Sequence, residues 1–81
     1  MDIEYNIRLV LDSIKSLPMR DRESIIELLD HNEWGGALET LCAAIYEDKL
    51  NISQETYSLI EEVGLEMEMD SNNWGNIKPI E

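Results

Sequence analysis

The sequence predicts an all-α fold: a compact bundle of about four helices, forming one domain over residues 1–81. Three observations carry the prediction. Apolar residues recur at spacings of three and four in four successive stretches, the period of a helix with one buried face. No stretch alternates apolar and polar residues as a half-buried strand does. The connections between the periodic stretches are short, which favours neighbouring antiparallel helices. An apolar content of 43%, arranged with this period, also separates the chain from acidic disordered sequences.

The first helical segment, Asp2 to Ser16, places Ile3, Ile7, Val10, Leu11 and Ile14 on one face. Leu17-Pro18 interrupts it, because a residue before proline is biased away from helical angles. Pro18 suits the first turn of a second helix, whose core face is Ile25, Ile26, Leu28 and Leu29. That helix weakens at "DHNEW", Asp30 to Trp34, where Asn32 is a stop signal. The third helix runs from about Glu33 to Asp48, with Trp34, Ala37, Leu38, Leu41 and Ile45 at helical spacing and Tyr46 alongside. Cys42 falls among these residues and reads as a small buried side chain. As the lone cysteine it can form no internal disulfide. Asn51-Ile52-Ser53 is expected to turn. Ser53 is a good N-cap, with Gln54 and Glu55 in the first turn behind it. The fourth helix turns Tyr57, Ile60, Val63, Gly64 and Met67 inward and Glu61, Glu62, Glu66 and Glu68 outward.

The third helix carries an oddity. Gly35 and Gly36 sit near its beginning, and Ala37, Ala43 and Ala44 follow. A glycine in a helix interior costs about 1 kcal/mol relative to alanine, so the small face needs a reason. The first expectation is a central helix against whose small face the tail or the first helix packs, with Trp34 anchoring its start. The second is a face on which another protein docks. The two can coexist on opposite sides of one helix.

Six basic residues against eighteen acidic ones give a formal net charge of −12. Such a surface repels phosphate backbones and anionic lipid, so neither nucleic acid nor membrane is an expected partner. It attracts basic partners from a distance. No apolar run approaches the roughly 20 residues of a membrane span, the N-terminus does not read as a signal peptide, and a cytoplasmic protein is expected. Catalysis has little to work with. His31 is the only histidine and reads as an exposed group at a helix C-terminus. The expectation is a protein that is not an enzyme and takes no cofactor. In "DSNNWGNIKPIE", Asp70, Asn72, Gly75, Ile77 and Glu81 match positions of a calcium loop. Trp74, though, stands where an oxygen ligand is needed, and Pro79 stands where an exit helix would begin. The expectation is therefore no metal, and a short turn that tucks Trp74 against the bundle.

From Leu28 to Ile77 the chain resembles the MafI-type immunity proteins of bacterial polymorphic toxin systems, which are similar in role to the immunity proteins of contact-dependent inhibition. The matching features begin with Glu33 and Gly35, Ala37-Leu38-Glu39, Leu41-Cys42 and Tyr46-Glu47. They continue with the turn at Ser53, Leu59-Ile60 with Gly64, then Met67 and Trp74. The E-x-G-x-A-L-E-x-L-C core is the most specific part, and the first helix carries no recognisable signature. The resemblance implies a small helical protein that binds the toxic C-terminal domain of a secreted or surface-displayed effector. The toxin is often a nuclease, ribonucleases of the EndoU type being one class, and the complex is expected to be one-to-one. An acidic adaptor for a basic region of some other protein is the alternative. The carboxylates expected to meet the partner lie on the second and third helices: Asp30, Glu33, Glu39, Glu47 and Asp48.

Overall fold

A computed structural model describes residues 1–80. Five helices follow one another: α1 (Ile3–Ser13), α2 (Met19–Asp30), α3 (Trp34–Glu47), α4 (Gln54–Glu66) and a single turn, α5 (Asn72–Gly75). The four long helices are those the periodicity predicts. No strand is present among the described residues, and one isolated parallel bridge joins Ser53 to Ile80. The Cα radius of gyration, 11.2 Å, matches the roughly 12 Å of a packed chain this long. No helix among the described residues is long and apolar enough to cross a membrane.

The central helix is α3, which packs against all four others, while α1 also lies along α4. The core is continuous and built of apolar side chains, with no charged or polar residue buried among the described residues. Its largest fully buried side chains include Trp74, Ile7, Ile25, Leu29, Leu38, Leu41, Ile45 and Ile60. Cys42 is buried among them, and that burial pushes its thiol pKa up to about 12. Trp74 is 1% exposed, so the tail does tuck its indole into the bundle. Its ring lies against Gly64, where even a methyl group would collide with it.

Helix ends explain the boundaries. Asp2 is the N-cap of α1, its carboxylate accepting from the Tyr5 N–H, and Ser53 caps α4 by accepting from the Thr56 N–H. Helices α2, α3 and α4 all end in the same way. In each, a residue with left-handed backbone follows the last turn: Asn32 (φ 60°), Lys49 (φ 52°) and Glu68 (φ 57°). The next N–H then reaches back over the turn, Glu33 to Leu28, Leu50 to Ile45 and Met69 to Gly64. These are Schellman termini, which satisfy carbonyls that a helix end would otherwise orphan.

Three expectations need correction. The first helix stops at Ser13 rather than Ser16. Ile14 has departed from helical geometry, and its carbonyl accepts from the Leu17 N–H of the short turn that follows and from the Arg22 guanidinium. Pro18 is the N-cap of α2 rather than a residue of its first turn, with extended backbone and a carbonyl that accepts from Arg22 N–H. Ile52 does not turn at the surface. It is buried, and its carbonyl accepts from Ile80 N–H at 2.8 Å, which fastens the tail beside the start of α4.

Candidate functional site

The glycine pair does not serve close packing. A Cβ at Gly35 would meet nothing within 4 Å, and one at Gly36 would make only an ordinary contact with Leu28 at 3.8 Å. The close approach expected there occurs instead at Gly64. The small residues of α3 divide by face: Ala37 and Ala44 are buried, whereas Ala43 is exposed. Tyr46, expected beside the core, is 58% exposed, because it lies one position past Ile45 on the turn that points away from the bundle.

The outward side of α3 has a simple order. Gly35, Glu39, Ala43 and Glu47 follow at intervals of four, one above the other on successive turns. Both carboxylates are exposed. Eight residues separate them, or about 12 Å along the axis. The face between them is bare, because the intervening side chain of the row is a methyl group. Beside its C-terminal half, α2 and α3 leave an open groove of about 470 Å³, to which Arg20, Asp21, Thr40, Ala43, Glu47 and Asp48 contribute.

The five carboxylates singled out from the sequence therefore do not form one cluster. Glu39 and Glu47 share the outward row, and Asp48 joins Glu47 at the groove. Glu33 lies at the opposite end of α3, where it is the N-cap residue without a side-chain capping bond. A 14-residue helix puts roughly 20 Å between those ends. Asp30 is engaged inside the fold: Arg8 of α1 donates to it at 3.0 Å and also to Glu4. These bonds raise the pKa of Arg8, so its charge is constant. Beyond them, the one other ion pair of the described residues joins Arg22 to Asp12 at 3.9 Å. The remaining described carboxylates, those of α3 and α4 included, have no cationic partner.

His31 sits at the end of α2, exposed, with Nδ1 2.8 Å from the Glu27 carbonyl. That hydrogen bond, with Glu27, Glu33 and Asp30 nearby, raises its pKa above the ordinary histidine value. In the tail, the Asp70 carboxylate accepts from the Asn72 N–H and opens the turn that becomes α5. Glu81, the last position of the calcium-loop spacing, lies outside the described residues. No group of three or more His, Cys, Asp or Glu among the described residues is arranged to hold a metal ion.

The sequence reading missed Arg20, Asp21 and Thr40, which share the groove with Glu47 and Asp48. Their grouping depends on how α2 crosses α3, which no local pattern encodes. The spacing of four that joins Gly35, Glu39, Ala43 and Glu47 was available in the sequence and pointed to the outward row. No protein-family model, curated protein or solved structure matches the chain.

Proposed function

We propose that this protein is an immunity protein, which binds and neutralises a basic toxin domain, a nuclease, without catalysis of its own. The observation that carries the reading is the bare outward row of α3, whose Gly35 the fold does not use for packing. Two further features support it: the resemblance of Leu28 to Ile77 to MafI-type immunity proteins, and carboxylates left largely without cationic partners. In this mechanism the negative field draws in the basic cleft that a nuclease uses to grip phosphate. Glu39 and Glu47 then pair with its lysines or arginines, Ala43 and Gly35 let the toxin backbone come close, and the cleft is closed to nucleic acid. Asp48 extends the contact into the groove, while Asp30 and Glu33 stand at the far edge. The complex is one-to-one and forms in the cytoplasm of the cell that makes the toxin.

The test is co-expression with the product of the neighbouring gene, which an immunity gene should follow. Survival of the cells and co-purification of both chains at equal stoichiometry are the expected results. Co-purification with a basic protein that is harmless when expressed alone would favour the acidic-adaptor reading. Failure to bind or to protect would overturn the immunity reading.

A further inference from the structure

A second groove, of about 430 Å³, opens on the other side of Glu47, between the end of α3 and the tail. It is lined by apolar Ile45, Leu50 and Ile77, and two lysines, Lys49 and Lys78, share it. Both lysines are exposed, and neither has a carboxylate partner among the described residues. The chain has six basic residues in all, and Arg8 and Arg22 are occupied within the fold. Two of the remaining four thus meet in one groove, though 29 positions separate them in sequence. With Glu47 the one carboxylate beside the two lysines among the described residues, the groove is a net positive spot on a negative molecule. It adjoins the outward row of α3 directly, because Glu47 borders the two grooves alike.

We infer that the Lys49–Lys78 groove receives an acidic side chain, an aspartate or glutamate, carried on the toxin surface beside its basic cleft. The inference rests on the immunity reading and assigns the groove a role within that interface. A uniformly negative face would accept any basic protein in many orientations. A local reversal of sign rejects orientations and partners that lack a matching carboxylate, and charge patterns of this kind fix register and specificity. The apolar lining around the lysines removes water from the pair as the complex closes, which strengthens the contact.

The sign of one experiment separates this groove from general electrostatics. The variant Lys49→Glu/Lys78→Glu makes the protein more negative by four charges. If the overall field alone governed binding, the variant would associate faster and bind the toxin domain as tightly as the wild type or better. If the groove takes a carboxylate, dissociation should quicken by about tenfold or more even where association is faster. The backbone tolerates the change at Lys49, because Glu68 holds the equivalent left-handed position at the end of α4. Lys49→Gln/Lys78→Gln provides a neutral second variant with a smaller expected loss, and Lys49→Arg/Lys78→Arg should restore slow dissociation. Circular dichroism melts establish that each variant is folded. The probe is the purified C-terminal domain of the neighbouring gene's product, the one used in the co-expression test. If the wild type binds it and the glutamate pair dissociates no faster, the groove assignment is overturned and the immunity reading stands. If the wild type does not bind it, both are overturned.

Discussion

Gly64 offers the sharpest test of how the tail is held. A Cβ built there would lie 2.1 Å from Cζ3 of Trp74, 2.5 Å from Cη2 and 2.9 Å from Cε3. To reach an ordinary contact of about 3.4 Å, the ring or the helix must yield by about 1.3 Å (3.4 − 2.1). The neighbour is a rigid aromatic ring that is itself 1% exposed, in an interior packed like an organic crystal. Overpacking of this kind costs about 1–3 kcal/mol, and complete expulsion of a buried tryptophan would cost about 3–5 kcal/mol. Against this, alanine improves helix propensity by up to about 1 kcal/mol. A displacement of about 1.3 Å against a rigid ring puts Gly64→Ala at the expulsion end, so the net expectation is a loss of about 2–4 kcal/mol (3–5 less about 1). Total stability for a chain of this size is only about 4–12 kcal/mol. The melting midpoint should therefore fall by roughly 8–30 °C.

Urea titration followed by circular dichroism gives the free energies. The diagnostic arm is the same substitution in a Trp74→Leu background. With the ring gone, Gly64→Ala meets little resistance and should stabilise by up to about 1 kcal/mol. The cycle then yields a coupling of about 2–5 kcal/mol, at or above the upper end for residues in direct contact. A wild-type background in which Gly64→Ala is neutral or stabilising would refute the notch that Gly64 makes for Trp74.

The other expectations are smaller. Gly35→Ala should stabilise by up to about 1 kcal/mol in the same titration, and a loss of that size would return the glycine pair to a packing role. Glu68→Gly should stabilise by about 1 kcal/mol, because it relieves a left-handed backbone at a non-glycine residue; Glu68→Asn separates that relief from loss of the charge. Cys42, with its pKa near 12 and its side chain buried, should react with a thiol reagent at pH 8 no faster than the protein unfolds. The imidazole of His31 should titrate above the ordinary histidine value when followed by nuclear magnetic resonance. Its small stabilising effect is then complete below the unfolded pKa and lost as pH rises through the folded one; a midpoint at or below the ordinary value would contradict the hydrogen bond to Glu27.

Much of the fold was legible because it depends on local rules. The helical period marked the buried faces of α1 to α4, Asn32 announced the end of α2, and Ser53 announced the start of α4. What was not legible depends on partners far along the chain. Lys49 and Glu68 adopt left-handed backbone although neither residue type favours it, because the returning N–H bonds and the burial beyond them outweigh a local cost. The Ile52–Ile80 bond is a backbone contact between distant segments, and it leaves no trace in side-chain pattern. The candidate site divides in the same way. The spacing of Glu39 and Glu47 was readable from one helix. The engagement of Asp30 by Arg8 was not, since 22 positions separate them.

The charge of the molecule is hard to account for within the fold alone. No charged or polar residue is buried among the described residues, and the one buried side-chain polar atom without a partner there, Trp34 Nε1, is not met by a carboxylate, so the acidic side chains do not serve to satisfy buried groups. From Asn51 to Ile77 the chain has no lysine or arginine, yet it carries Glu55, Glu61, Glu62, Glu66, Glu68 and Asp70. Glu62 and Glu66 are exposed and four apart on α4, a like-charge arrangement that costs about 0.2–0.5 kcal/mol, where an opposite pair would gain as much. A single lysine there would improve stability without touching the core. Solubility needs only a net charge of about 2–8 in magnitude for a small domain, less than the 12 present here. The excess thus weakens the folded state at positions free to change, and the immunity reading places its benefit outside the molecule. A long-range field that speeds encounter with a basic partner supplies such a benefit. Speed is what an inhibitor needs when its target is lethal before it is bound. On this reading α4 contributes mainly to the rate of approach, the outward row of α3 holds the toxin, and the two lysines beside it decide which toxin is held.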